Sequence, residues 1–340
     1  MQFAQKLIYL QRGLSQCIRG SIQGADILDY KDAVSASWDA SFVQLSAGNL
    51  DAGIEFLAGD CFALYRESWR QRLHLVGTLL PGMIALGIPA NAGQETRWWG
   101  QTLSSTCIPI ARSTDEVNLV TGANETITVL TMSEEDFLRI FARLTGLLPG
   151  DFPDKGQFLQ VEPGAVRQTV RFWNSVLAQS SVLDVGEWSL VDLLAPLLDA
   201  LESPVTTRHI ITSKSALLDR VLHLAEAYGF RASVPEISLD LSVSRRTIEY
   251  VFQDIVGESP YAYFNLRRLN LCRQALTEAN PAQTTVASIA TRHGFFELGR
   301  FATAYRRYFG ELPSVTLRRT RGLVAVGMRP VVKPAFLSAP

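Results

Sequence analysis
The sequence predicts an α+β protein of two domains: a strand-rich barrel or sandwich with helices packed on it, then an all-helical domain. Three observations lead there. Between Ile27 and Met132, short apolar runs are separated by Gly, Pro and Asn turns at roughly ten-residue spacing, the pattern of a sandwich or barrel. After Met132 the apolar period changes to that of a helix. Towards the C-terminus, two short amphipathic segments about a tight turn occur twice, about fifty residues apart. At 340 residues, 47% hydrophobic and 19% charged, the chain is globular and long enough for both units.

Charge divides the same way. A net charge of -1 alone argues against a polyanionic partner. From Pro204 onward, however, 18 Lys and Arg stand against 10 Asp and Glu, while the residues before it hold 14 against 23. Only the C-terminal part is therefore expected to meet a polyanion. The predicted boundaries are residues 1–202 for a strand-rich domain, helical after about 133; 203–213 for a linker; 214–320 for the basic helical domain; and 321–340 for a loosely held tail. Cys17, Cys61, Cys107 and Cys272 show no paired spacing and read as reduced, mostly buried thiols. The most apolar stretch, Leu73 to Ala92, is broken by Gly77, Pro81, Gly82, Gly87 and Pro89 and is no membrane span. No export signal opens the chain, so a cytoplasmic, nucleoid-associated protein is expected.

Taken in order, residues 1 to about 26 are a polar lead-in with room for one short helix or strand. Ser41 to Leu45 alternates as a strand, and Gly48-Asn49 turns it. Ile54 to Phe56 and Cys61 to Tyr65 are divided by Gly59-Asp60. Leu73 to Val76 and Met83 to Leu86 flank Leu80-Pro81-Gly82, and Val117 to Leu119 and Thr126 to Leu130 flank Thr121 to Asn124. Ser133 to Asp136 reads as a capping box that opens a helix with Phe137, Ile140, Phe141 and Leu144 on one face. Pro163 opens a second helix with Val166, Val170, Trp173 and Val176 inward. Val182 to Leu201 gives a third, whose leucines face either the core or a dimer seam. Lys214 to Tyr228 starts the helical domain, and Tyr261 to Leu276 is its long helix, a spacer of roughly 24 Å.

The duplicated units are Val234 to Pro260 and Val286 to Ser314. Ile237 matches Ile289, Ser238 matches Ala290, Ser242 matches Gly294, and Ile248 and Phe252 match Phe301 and Tyr305. Gly257-Glu258-Ser259-Pro260 matches Gly310-Glu311-Leu312-Pro313. With Ser244 to Ile248, Arg268-Leu269, Gly294-Phe295 and Phe309-Gly310, this ordered set resembles the C-terminal domain of the AraC/XylS family of bacterial transcription regulators. The resemblance covers about a hundred residues. It implies two helix-turn-helix units on one long helix, entering successive major grooves, and a cupin-like sensor barrel ahead of them.

Helical spacing assigns the candidate contacts. If Ile248 and Phe252 face the core, Arg245, Arg246, Glu249 and Tyr250 lie on or beside the outer face and can meet base edges. Arg246 is the first choice for bidentate contact with guanine; Glu249 either accepts from cytosine or orients an arginine. Ser244 caps the helix, and with Thr247 positions it on phosphate. In the second unit Arg300 and Thr303 face outward, while Arg306 and Arg307 hold phosphate. Four positions depart from the family pattern. Ser242 and Ser238 stand where glycine and alanine are usual, and Gly299 and Arg300 where a serine cap and an aromatic are common, so the second recognition helix is expected to be weaker at its start.

His74 is the one histidine before the linker, the others being His209, His223 and His293. A three-histidine metal site in the barrel is thereby excluded, and no cofactor is expected. His74 itself reads as an ordinary strand residue, and Trp98-Trp99 as a core or interface pair in preference to a ligand-stacking pair. With no nucleophile elbow, phosphate loop or dinucleotide fingerprint, the expectation is not an enzyme. The expected partners are double-stranded promoter DNA, RNA polymerase, a small-molecule effector and a second copy of the chain. Two other readings remain: a barrel that binds a partner protein, and an enzyme with a DNA-binding appendage. A closed apolar cavity in the barrel favours the effector, and a filled barrel with an exposed patch favours the partner protein.

Overall fold
The computed structural model describes residues 18–25, 27–35, 37–58, 62–90, 96–103, 106–148, 152, 157–162, 164–178, 189–206, 213–319 and 325–330. The strands, in chain order, are β1 (Ile18–Ala25), β2 (Trp38–Gln44), β3 (Ala52–Ala58), β4 (Phe62–Trp69), β5 (Leu73–Leu79), β6 (Met83–Pro89) and β7 (Arg97–Trp98). They continue as β8 (Gln101–Thr102), β9 (Cys107–Arg112), β10 (Val117–Val120), β11 (Glu125–Ser133), β12 (Gln157–Val161), β13 (Leu201–Thr206) and β14 (Ala325–Pro330). They make a nine-stranded sheet, in the order β13-β12-β9-β6-β11-β4-β3-β1-β14, and a five-stranded sheet, β2-β5-β10-β7-β8.

The large sheet is apolar on both faces because successive side chains point opposite ways. Leu64, Leu86, Ile110, Leu130 and Leu159 face one core; their neighbours Tyr65, Ala85, Ala111, Val129 and Phe158 face another. The first core is closed by three helices, α2 (Glu134–Thr145), α3 (Ala165–Ala178) and α4 (Leu190–Leu198). Trp173 of α3 is fully buried there, and its indole N–H donates to the Leu193 carbonyl at 2.9 Å. The second core lies between the two sheets.

The helices after the barrel are α5 (Ser213–Ala227), α6 (Val234–Leu241), α7 (Arg245–Ile255), α8 (Pro260–Glu278), α9 (Val286–Arg292), α10 (Leu298–Phe309) and α11 (Pro313–Arg318). The long helix α8 has 19 residues, about 28 Å at 1.5 Å per residue. Ser133 does cap α2, accepting from the Asp136 amide.

Four expectations are corrected. Ile27–Val34, taken for strand, is a short helix, α1, whose Ile27, Leu28, Tyr30 and Val34 are buried against the barrel. The third barrel helix is shorter than Val182–Leu201: α4 starts at Leu190 behind a Ser189–Asp192 capping box, and 179–188 lie outside the described residues. Its leucines Leu190, Leu193, Leu194, Leu197 and Leu198 are all core residues. The predicted linker begins as strand: β13 pairs with β12 at the sheet's edge, where Pro204 is tolerated, and 207–212 lie outside the described residues. Part of the predicted tail, β14, pairs antiparallel with β1.

Candidate nucleic-acid interface
Each reader is a helix, a turn and a recognition helix. In the first unit, α6 is opened by Ser233, which exchanges hydrogen bonds with Glu236 in a capping box. It ends at Ser242, in the left-handed region at φ 53°. Ser244 then caps α7, accepting from the Thr247 amide at 3.1 Å, with the two hydroxyls 2.7 Å apart. Ile248, Val251, Phe252 and Ile255 are buried. In the second unit Thr285 caps α9, and Gly294 turns the chain at φ 80°. Phe301, Tyr305 and Phe309 of α10 are buried. No side chain caps α10, whose N-terminal position is Glu297.

The outward faces carry the predicted contacts. Arg245, Arg246, Thr247 and Tyr250 are exposed on α7, and Glu249 is partly so. Arg245 is joined to Glu249 at 2.8 Å. The Lys214 ammonium, on α5, donates to the Tyr250 hydroxyl at 3.0 Å and pairs with Asp254 at 2.9 Å. The Arg246 side chain bonds to no described residue. On α10, Arg300 pairs with Glu297 at 3.0 Å, and the Thr303 hydroxyl donates to the Gly299 carbonyl at 3.0 Å. Arg306 and Arg307 are exposed and bond to no described side chain.

The helical domain sits on the small sheet, and this seam was not read from the sequence. The Tyr263 hydroxyl of α8 lies 2.8 Å from Nδ1 of His74, whose Nε2 lies 3.0 Å from Asn118 Oδ1. Burial, with a lesser contribution from the nearby Arg267 charge, pushes the His74 imidazole down to about 4, against the Asn118 hydrogen bond, so it is neutral at pH 7. Asn270 of α8 accepts from the Gln44 amide at 3.2 Å and donates to its carbonyl at 3.4 Å, as a neighbouring strand would. Arg72 reaches the Val256 carbonyl and Glu258, both at 3.1 Å, and Arg97 donates to the Asp254 carbonyl. The second unit adds Tyr308, whose hydroxyl donates to the Gln44 carbonyl at 2.5 Å and whose backbone carbonyl accepts from the Gly48 amide at 2.8 Å. One hint was available: His74 stands polar within the apolar run Leu73 to Val76.

The other face of the small sheet bounds a cavity of about 50 Å³ between the sheets. Strand alternation separates the two faces. Phe42, Leu75, Trp98 and Leu119 line the cavity, while Val43, His74, Arg97 and Val120, each adjacent in sequence, face the helical domain. Trp98 is thus a cavity residue and not only a core one. Glu67 and Tyr30 are one hydrogen-bonded polar pair of its lining, at 2.7 Å.

Two readers on one long helix, carried by a double-sheet barrel, define the class. Residues 237–319 match a known helix-turn-helix domain family. The chain is 32% identical over 122 residues to XylDLEGF operon transcriptional activator 2 of Pseudomonas putida, covering 36% of this chain and 77% of that one. It is 35% identical over 130 residues to activator 1 of the same organism, which takes in 38% of this chain and 39% of the relative. The chain thus matches about two fifths of the length of the longer curated relatives. A solved structure of a probable AraC family transcriptional regulator from Rhodopseudomonas palustris is 36% identical, covering 32% of this chain and 99% of that one, with a TM-score of 0.29. The chain belongs to the AraC/XylS family. Among the described residues no helix is long and apolar enough to cross a membrane.

Proposed function
We propose that this chain is a sequence-specific, DNA-binding transcription regulator whose barrel cavity holds a small-molecule effector. One observation carries the first half: both recognition helices bury an apolar face and present arginines that bond to no described side chain, Arg246 on one and Arg306 and Arg307 on the other. Arg246 reads guanine from the major groove, with Arg245, Glu249 and Tyr250 beside it. Arg300 and Thr303 read from the second helix, and Arg306, Arg307, Ser244 and Thr247 fix both on phosphate. The long helix spaces the readers for successive grooves.

Control follows from the small sheet. A benzene-sized guest needs roughly 150 Å³, so an effector entering the cavity displaces its walls. Those walls carry the seam on their outer face, so filling the cavity shifts the docking equilibrium of the readers. Promoter DNA, RNA polymerase and a second copy of the chain are the remaining partners of this reading.

Selection of bound duplexes from a random library by the full chain tests it. The expected product is two short motifs about one helical turn apart, bound with a steep salt dependence. Recovery of unenriched sequence would refute it.

A further inference from the structure
We infer that the cavity selects a ring-sized, apolar molecule bearing a hydrogen-bond donor and no negative charge, with Glu67 as the residue that sets this choice. The inference rests on reading the cavity as the effector site.

The lining is aromatic and aliphatic, and among the described residues it includes no lysine, arginine or histidine. Its one carboxyl group, Glu67, sits on β4 at 7% exposure. Oε2 accepts from the Tyr30 hydroxyl at 2.7 Å, while Oε1 meets no donor among the described residues. The neighbouring hydroxyl, on Tyr65, already accepts the Trp38 indole N–H at 2.7 Å. Trp98 supplies the opposite feature: its indole N–H is buried without a hydrogen-bond partner among the described residues, in a side chain at 7% exposure. The site therefore offers one open acceptor and one buried donor in a dry wall. Buried polar groups left unpaired are costly, so a guest that completes them is favoured over one that is apolar throughout.

A carboxylate guest meets the reverse situation. Its charge would lie beside Glu67 in a low-dielectric cavity lined by no described cation. Burial pushes the Glu67 carboxyl up to about 7, the Tyr30 hydrogen bond opposing this, so the site tolerates little negative charge even when empty. An alcohol, phenol or amine on the same ring donates to Oε1 and adds no negative charge.

Four probes that share a ring separate the possibilities: benzyl alcohol, benzylamine, toluene and benzoate, titrated calorimetrically into the full chain. The expected order is benzyl alcohol and benzylamine above toluene, with benzoate weaker than the alcohol by about tenfold or more. In Glu67→Gln, benzylamine should lose about tenfold and benzoate should gain. This comparison uses circular dichroism to verify folding, and the wild-type order stands without it. Benzoate binding as tightly as benzyl alcohol to the wild type would overturn the inference while leaving the cavity an effector site. Binding of none of the four, toluene included, would overturn the effector reading and this inference with it.

Discussion
The two helix-turn-helix units share a plan but are held differently. In the first, serine side chains cap all three successive helices: Ser233 on α6, Ser244 on α7 and Ser259 on α8. In the second, Thr285 caps α9, but α10 and α11 begin at Glu297 and Leu312 without a side-chain cap. The first unit shares a continuous core with Val43, Leu45 and Val120 of the barrel. The second has its own core, fastened at its base by Glu311, which binds Arg273 at 3.2 Å, Arg319, and the Thr316 hydroxyl at 2.8 Å. Duplicated sequence therefore need not mean duplicated mechanics. The first unit shares its core with the barrel wall, while the second has a core of its own and meets the barrel through Tyr308 and the turn at Gly310.

The largest test is core truncation. Phe252→Ala should cost roughly 3–5 kcal/mol. Because its core crosses the seam, hydrogen exchange should rise both in α7 and along β2 and β10. Phe301→Ala should cost about as much but raise exchange only in the second unit. Equal footprints would erase the distinction.

Next comes the seam's response to acid. His74 has a folded value of about 4 against an ordinary 6.5. A depressed histidine favours docking above pH 6.5 and withdraws that favour as pH falls towards 4, by roughly 3 kcal/mol in all. Tyr263 and Arg267 face it from α8, and Asn118 from β10. Asp219, pushed up to about 7 by burial and by Glu116, works in the opposite sense, since acid relieves it. The informative quantity is thus the difference between wild type and His74→Gln, followed by small-angle scattering from pH 7 to 4.5. The wild type should expand more steeply than the variant; identical curves would remove His74 from the seam's control.

DNA contacts rank third. Arg246→Ala should cost about 1–3 kcal/mol and relax preference at one base pair, whereas Arg300→Ala, at an uncapped helix end and already paired with Glu297, should cost under about 1 kcal/mol. Fluorescence anisotropy on the selected site and its single-base variants separates these; uniform weakening by Arg246→Ala would mark a phosphate contact instead. The smallest effect is in the turns. Ser242→Gly should stabilise by up to about 1 kcal/mol, because φ 53° strains a side chain. Gly294→Ser should destabilise by more, since a Cβ there would lie 3.1 Å from both Arg231 and Arg268. Thermal unfolding of the pair checks the signs.

The readers were legible because their signals are local and repeated. Capping serines, the strained turn at Ser242 and the buried spacing of Ile248 and Phe252 each lie within one turn of the residues they organise. Barrel strands were legible as runs but not in their pairing. The short apolar start of α1 reads as strand because two helical turns leave too little period to recognise. β13 and β14 draw their stability from partners far away in the chain, so nothing within Leu201–Thr206 or Ala325–Pro330 announces them. The seam was least visible of all: His74 and Tyr263 are 189 positions apart. Neither pattern nor propensity connects a lone polar strand residue to a tyrosine in a helix of another domain.

Strand β14 has a mechanical consequence. Because it lies against β1, the helical domain is joined to the barrel at both of its ends, through residues 207–212 on one side and 320–324 on the other. Fully extended, such segments reach only about 20 Å. The readers therefore cannot drift off as a weight on a single string. Once released from the seam they pivot about two fixed points, and the seam stays at an effective concentration of about millimolar or higher. Redocking is thus fast and independent of how much protein is present.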